Sequence, residues 1–252
     1  MIKKLIALSA LVMLGACATT QVDPYDYTTY RTQDPHSILV VPVMNSSNEA
    51  DAADFFLTTL PFALAERGYY VFPVNMVKRT MEADGLADAS LVHEADPVKL
   101  GGLFNTDSIL FVEIMKWESN YVVISSNITV SFRYTLKSAA TGETLWQNEQ
   151  EFVHSQSGNS GNFITDLIAT AVAGAINSMK SDYTPLARTA NSFALYTAGR
   201  GIPSGPYSAL YNDPKDIEAF PKTGSGWIGG PKPDALQDAD AATEAEVEPA
   251  AE

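Results

Sequence analysis

Apolar residues in the first half of the chain occur alternately in short continuous runs and at helical spacing, which predicts strands alternating with helices. The run at 38–43 predicts a strand that is covered on both faces and ends near Pro42. A helix is predicted over 53–67, with Gly68 just past its end and a kink or break at Pro61. The pattern continues as strand, helix, helix and strand at 69–73, 74–83, 97–104 and 109–117.

The second half of the chain opens on a clear alternation of apolar and polar residues at 128–137, which predicts a strand with one buried face. A turn and a hairpin partner follow, at 138–142 and 144–153. Two helices are predicted after the hairpin, at 164–179 and 184–199. We therefore expect an α/β domain over 37–201, with a single mixed β-sheet flanked by helices. In it, a parallel-starting βαβ unit precedes an antiparallel hairpin.

Residues 1–16 have the three parts of a bacterial export signal. Lys3 and Lys4 precede an apolar stretch of ten residues, half of the ~20 that a membrane-spanning helix needs. The last residues of this region resemble the lipobox of bacterial lipoproteins: Leu14, Gly15, Ala16 and Cys17. The alternative fate of a lone cysteine is burial in the core.

The lipobox resemblance implies that Cys17 receives a diacylglyceryl group on its sulfur and becomes the new N-terminus after cleavage. Two or three acyl chains would then hold the protein durably on a membrane. Ala18, rather than Asp, follows the cysteine, which by the sorting rule of enteric lipoproteins implies the outer membrane. Palmitate would thus be attached at Cys17, and the protein would face the periplasm, with the cell surface as the other option.

The segments on either side of the domain have different compositions. Residues 17–36 contain two prolines and no apolar periodicity, which predicts a lipidated, extended tether whose tyrosines pack on the domain or form a partner-binding stripe. Residues 202–233 are rich in proline and glycine and predict an extended arm, which either wraps the domain or awaits a partner. Residues 234–252 contain seven acids and no base, which predicts a disordered acidic tail.

Charge and cysteine content exclude several functions. The 252 residues carry 30 acids against 16 bases, a net charge of −14, which argues against nucleic-acid binding. The single cysteine excludes an intramolecular disulfide and any site with several thiolate ligands. We expect no metal and no cofactor.

A polar run directly follows the first predicted strand and forms a candidate ligand or partner site. Open α/β sheets commonly bind ligands at this point, although the same residues can also cap the next helix. The residues of this run are Asn45, Ser46, Ser47 and Asn48.

Three further patterns have weaker interpretations. His93 precedes two acids, Glu94 and Asp96, and we interpret this as a solvated loop rather than a metal site. His154 lies beside Ser155, which would form a hydrolase dyad only with an orienting acid from elsewhere. The GxGxxG pattern at 224–229 lies in the proline-rich arm, without the strand and helix that a dinucleotide site needs.

Several segments together resemble a family of bacterial lipoproteins of unknown function, often encoded beside lipoproteins similar to the curli secretion channel CsgG. Besides the lipobox, the resemblance lies in the segments 41–47, 64–74 and 141–146, and it spans roughly 14–205. It implies a mixed-sheet fold similar to the TolB N-terminal domain, the CsgG periplasmic domain and the lipoprotein activators of penicillin-binding proteins. These domains act by protein contact, and the resemblance carries no catalytic residues.

We therefore expect a lipid-anchored periplasmic protein that is not an enzyme and serves as a docking or accessory component in envelope assembly or secretion. Its expected partners are the membrane, through the anchor, and another envelope lipoprotein (CsgG-like) or a cell-wall synthase. The alternative is an envelope hydrolase or a small-ligand-binding lipoprotein, with its site around 45–48 and His154.

Overall fold

The computed structural model describes residues 24–122, 125–155 and 184–224; within these, 118–122, 125–128 and 152–155 are described by their backbone alone. The described helices are α1 (Thr28–Gln33), α2 (Ala52–Glu66), α3 (Val74–Ala83), α4 (Ala89–Glu94), α5 (Pro97–Phe104), α6 (Thr184–Tyr196) and α7 (Pro214–Ala219). The strands are β1 (Ser37–Val40), β2 (Met44–Asn45), β3 (Tyr70–Val71), β4 (Ser108–Val122), β5 (Ser125–Ser138) and β6 (Thr144–Ser155).

These strands form one mixed sheet in the order β3-β1-β4-β5-β6, with β2 also paired to β4. β1 is parallel to both of its neighbours, and β2 is parallel to β4. β5 is antiparallel to both of its neighbours, β4 and β6. The predicted fold class is therefore confirmed: a mixed sheet that begins with parallel strands, ends in an antiparallel hairpin and is flanked by helices.

Helices cover both faces of the sheet. α2 and α6 pack on one face, where they bury the side chains of Ile38 and Val40 from β1. α3, α4 and α5 pack on the other face, over Leu39 from β1 and Ile109 from β4. The continuous apolar run of β1 thus serves two cores at once, as a strand buried on both faces must.

Two features of α2 were predicted with different success. Gly68 adopts φ +93, and the N–H groups of Gly68 and Tyr69 donate to Ala65 O at 2.9 Å and Leu64 O at 3.2 Å. This is the Schellman arrangement, so the predicted glycine stop is confirmed. Of the kink or break expected at Pro61, the break is wrong, because a single helix runs through this residue.

The first predicted strand is divided in two. β1 ends at Val40 and β2 begins at Met44, because Pro42 between them has no N–H to donate to the sheet. β2 then pairs with β4 at Glu113, a contact that the sequence pattern did not indicate.

The structure corrects the extended tether for its described part. Residues 28–33 form α1, and Tyr27 and Tyr30 are buried in the larger core. The reason is that buried aromatic area stabilises a short helix that has no apolar stripe of its own. Residues 1–23, the predicted helix at 164–179 and the acidic tail lie outside the described residues. Among the described helices, none is both long and apolar enough to cross a membrane.

Candidate functional site

The most distinctive polar site lies at the base of the sheet, the end at which β1, β3 and β4 begin. Three parts of the chain meet there: the amino-terminal segment (24–36), the end of α2 around Arg67, and the carboxy-terminal arm (201–224). We call their contact the terminal junction. It connects residues close to the lipobox with residues near the acidic tail.

The amino-terminal segment is hydrogen-bonded along its length. The N–H of Tyr25 donates to Gly199 O at 2.9 Å, and the hydroxyl of Tyr27 donates to Gly201 O at 2.7 Å. The hydroxyl of Thr28 donates to Lys222 O at 2.8 Å. This segment is therefore held to the domain from its first described residues onward.

A buried carboxylate lies at the centre of the terminal junction. Asp216 exposes 1% of its side chain, and its two oxygens face Arg31 at 2.8 Å and Arg67 at 3.5 Å. The backbone N–H of Ser204 donates to the same carboxylate at 2.8 Å. Two cations and an amide donor together compensate the cost of burying this charge.

Both arginines also bind the carboxy-terminal arm directly. Arg31 donates to Phe220 O at 3.1 Å, and Nε of Arg67 donates to Ile202 O at 2.7 Å. The guanidinium of Arg67 lies 4.7 Å from the centre of the Phe220 ring. Planar guanidinium groups with several donors suit this role better than lysine would.

Two tyrosine hydroxyls complete the terminal junction. Tyr30 and Tyr69 share a hydrogen bond, and Tyr69 donates to Pro203 O at 2.7 Å. Burial raises the pKa of both phenols well above the ordinary value. Burial, and then the charge of Asp26, raise the pKa of the nearby Tyr25 to about 12. These phenols are therefore neutral at physiological pH and act as hydrogen-bonding groups.

The carboxy-terminal arm passes directly over the end of α2. The N–H groups of Gly205 and Tyr207 donate to Arg67 O at 2.9 Å and Gly68 O at 3.0 Å. A Cβ atom on Gly68 would lie 2.5 Å from Ser208 N. Glycine at 68 thus serves both the left-handed turn and the close approach of the arm.

The candidate site at 45–48 lies at the opposite end of the parallel strands, and three of its side chains form hydrogen bonds within the loop or to β4. Asn45 donates to Glu49 O at 2.7 Å and accepts from both the N–H and the hydroxyl of Ser47. Ser46 donates to Glu113 at 3.2 Å. The helix-cap interpretation of this run is wrong, because α2 begins after Asp51 and its cap has no side-chain hydrogen bond.

His93 lies on α4 rather than in a solvated loop, so that interpretation is also wrong. Its Nε2 is 3.0 Å from Pro42 O, and its ring packs edge-on against Phe111. Burial lowers the pKa of His93. No group of three or more metal-ligating side chains occurs in the described part of the chain.

The remaining sequence patterns lie partly outside the described residues. His154 belongs to β6, where the structure describes the backbone alone. Gly224, the first glycine of the GxGxxG pattern, packs against the backbone of Tyr25, and the rest of the pattern lies beyond the described residues.

Sequence reasoning missed Arg31, Arg67 and Asp216, whose mutual contacts join residues far apart in the chain. One local signal could have found the helix that holds the carboxylate. Asp213 caps α7 by accepting from the N–H of Lys215 at 2.9 Å, with proline at the next position. An Asp-Pro pair is a recognised helix start.

The sequence matches the family described as "Putative lipoprotein GNA1162-like" over residues 25–207. The chain belongs to this family. The resemblance seen in the sequence is therefore confirmed, and the match to the GNA1162-like family begins inside the amino-terminal segment and ends inside the carboxy-terminal arm. The match thus includes nearly all of the amino-terminal segment, the end of α2 and the first residues of the carboxy-terminal arm, while Asp216 lies beyond it.

Three individual proteins illustrate what the chain is similar to. The "Putative lipoprotein NMB1124/NMB1162" of Neisseria meningitidis serogroup B is 29% identical over 221 residues, 86% of this chain and 98% of the relative. The crystal structure of lipoprotein GNA1162 from Neisseria meningitidis is 32% identical, with a TM-score of 0.48, and covers 57% of this chain and 100% of that one. The LpoB C-terminal domain from Salmonella enterica is 18% identical, with a TM-score of 0.34, and covers 50% of this chain and 98% of that one.

Proposed function

We propose that this protein is a lipoprotein anchored through Cys17 in the outer membrane and facing the periplasm, where it acts as a non-enzymatic docking or accessory component of the envelope. The observation that carries the proposal is the position of the lipobox. Cys17 lies seven residues before Pro24, and the chain is already bonded to the domain at Tyr25. Membership of a lipoprotein family supports the same anchor.

The chemistry of the terminal junction supports a structural rather than a catalytic role. Its carboxylate is neutralised by two arginines, and its phenols are held neutral by burial. A catalytic group needs a pKa near the working pH and access to a substrate. The buried phenols have neither, because burial raises their pKa further above that range. The side chains of the terminal junction instead fasten both terminal segments to the domain.

Exposed aromatic side chains near the terminal junction support a role in protein contact. Tyr70, on the edge strand β3, exposes 51% of its surface, and Tyr207, on the carboxy-terminal arm, exposes 72%. Both lie close to Gly68. Tyr70 follows it by two residues, and the N–H of Tyr207 donates to the carbonyl of Gly68. Tyrosine is enriched in the centres of protein interfaces. We propose this surface as the contact for another envelope lipoprotein or a cell-wall synthase.

Capture from detergent-solubilised membranes tests the docking role. The full lipidated chain should co-purify with an envelope protein, and the double substitution Tyr70→Ala, Tyr207→Ala should abolish this capture. Met76→Ala is the matched control, because Met76 exposes 62% of its surface on α3. If no envelope protein co-purifies, or if the double substitution leaves capture unchanged, the docking role is wrong.

The alternative of a hydrolase or small-ligand binder has less support. It needs free polar groups around 45–48, and the side chains of Asn45, Ser46 and Ser47 are hydrogen-bonded within their own loop or to Glu113.

A further inference from the structure

We infer that the domain stands on the membrane with the base of its sheet towards the lipid, so that the carboxyl ends of its parallel strands face away from the bilayer. This inference rests on the proposed lipidation of Cys17. It assigns the lipid headgroup layer to the part of the base where Pro24 and Gly224 meet, apart from the edge strand β3 that carries Tyr70.

The number of residues between anchor and domain limits their separation. Seven residue steps separate Cys17 from Pro24. A fully extended chain spans at most ~3.6 Å per residue, which gives about 25 Å for this link. Whatever conformation the link adopts, Pro24 cannot lie farther than this from the lipidated cysteine.

Pro24 itself is fixed at the base of the sheet. The neighbouring Tyr25 donates its N–H to Gly199 O at 2.9 Å, and Tyr27 donates its hydroxyl to Gly201 O. Gly224 packs against the same backbone so closely that a Cβ atom there would clash. The link therefore reaches a rigidly held point rather than a loose end of the chain.

The opposite end of the sheet lies well beyond this point. Ser108 of β4 pairs with β1 at the base, and Ile114 of β4 pairs with Asn45 of β2. Six strand residues separate the two positions, a distance of about 20 Å at ~3.3 Å per residue. β4 then continues to Val122, so the antiparallel hairpin extends still farther from the base.

The last described residue lies at the same end of the domain as the link to the anchor. A Cβ atom on Gly224, the last described residue, would clash with the backbone of Pro24 and Tyr25, so the described chain ends where the link from Cys17 arrives. This end is proposed to be held near the lipid by the short link.

Resonance energy transfer to the membrane tests this orientation. Lipidation consumes the chain's one cysteine, so an introduced cysteine can be labelled alone. Thr223→Cys places a donor at the base and Asn48→Cys places one at the far end, both at exposed positions. The lipidated proteins are reconstituted in phosphatidylethanolamine–phosphatidylglycerol vesicles with acceptor-labelled headgroups.

We expect markedly stronger transfer from the label at 223 than from the label at 48. Inserting about twenty Gly/Ser residues after Asp23 should remove most of that difference, because a longer link no longer confines the base. Equal transfer from the two labels without the insertion, or stronger transfer from position 48, would overturn the inference.

A second experiment tests the orientation without depending on lipidation of Cys17. A chain that begins with six histidines in place of residue 17 is bound to vesicles containing nickel-chelating lipid. The same difference between the two labels is expected, because the link from residue 17 to Pro24 is unchanged. If mass spectrometry shows Cys17 to be unmodified in the cell, the lipoprotein proposal fails; if the labels are equal on nickel vesicles, the geometric inference fails.

Discussion

At the scale of single residues, Asp216 connects all three parts of the terminal junction. Its carboxylate is buried against Arg31 and Arg67, and it accepts the N–H of Ser204. We predict that Asp216→Asn lowers the free energy of unfolding by about 3 kcal/mol, because two partly buried cations lose their counter-charge. Urea denaturation monitored by circular dichroism measures this change.

Glu218→Gln is the matched control for that substitution. Glu218 lies on the same short helix, α7, and is exposed. Its replacement should change the free energy of unfolding by less than about 0.5 kcal/mol. An equal effect of the two substitutions would show that Asp216 is not a central contact.

Tyr134 provides a prediction of pH dependence. Burial raises the pKa of its phenol, and its hydroxyl donates to Asn191 at 2.9 Å. Because the pKa in the folded protein is above the unfolded value of ~10, the stabilisation is complete below pH 10 and is lost as pH rises beyond it.

Above pH 10 the free energy of unfolding should therefore fall more steeply for the natural chain than for Tyr134→Phe. The expected difference in slope is about 1.4 kcal/mol per pH unit. Urea titrations between pH 8 and 11 measure both slopes, and equal slopes would show that Tyr134 titrates normally. At neutral pH the substitution costs about 1 kcal/mol, since Asn191 loses its donor.

At the scale of elements, Gly68 both ends α2 and lies in contact with the carboxy-terminal arm. Gly68 and Gly85 both follow helices and adopt φ of +93 and +85. A Cβ on Gly68 would collide with Ser208, whereas a Cβ on Gly85 would meet nothing within 4 Å. Substitutions at the two glycines therefore distinguish the cost of a left-handed backbone from the cost of displacing the carboxy-terminal arm.

We predict that Gly85→Ala costs about 1 kcal/mol, for the left-handed backbone alone. Gly68→Ala should cost clearly more, because it must also displace the arm. Thermal denaturation of the two variants checks the ranking. Similar losses would show that the arm does not lie on α2 as described.

Elements with a complete local signal could be predicted from the sequence. α3 and α5 have the predicted bounds, since Pro97 marks the first residue of α5 and Asp84-Gly85 follow α3. β2, α1 and α4 could not be foreseen, because they are two to six residues long and depend on partners distant in sequence. Pro61 was misleading because tertiary packing keeps α2 intact.

At the scale of the whole molecule, the carboxy-terminal arm is part of the domain rather than an appendage. Ile202 and Phe220 are buried in the larger core, and Asp216 is buried beside them. A chain ending at 201 should therefore lose most of its stability. The burial of two large apolar side chains, at about 2 kcal/mol each, and a buried ion pair of about 3 kcal/mol together approach the net stability of a typical domain.

A chain ending at Gly224 is the matched control and should melt as the full chain does, because it retains all of these contacts. Differential scanning calorimetry of both truncations gives the comparison. A cooperative transition at an unchanged temperature in the chain ending at 201 would contradict the assignment of the arm to the core.

The fold class could be predicted from the period of the apolar residues, since a strand buried on both faces and an alternating hairpin leave few arrangements. The location of the functional site could not be predicted in this way. The run at 45–48 follows a familiar rule for α/β sheets, yet Asn45 is already hydrogen-bonded to Ser47 and Glu49. The terminal junction depends on contacts between residues 31, 67 and 216, which no local pattern connects.

The central claim is that Cys17 carries the lipid that holds the protein in the envelope. Its most direct test is mass spectrometry of the N-terminal peptide, from protein purified from membranes of cells grown with labelled palmitate. We predict a chain that begins at Cys17 with diacylglyceryl on its sulfur, and no label in Cys17→Ala. An unmodified Cys17, or equal labelling of the two proteins, would contradict the account.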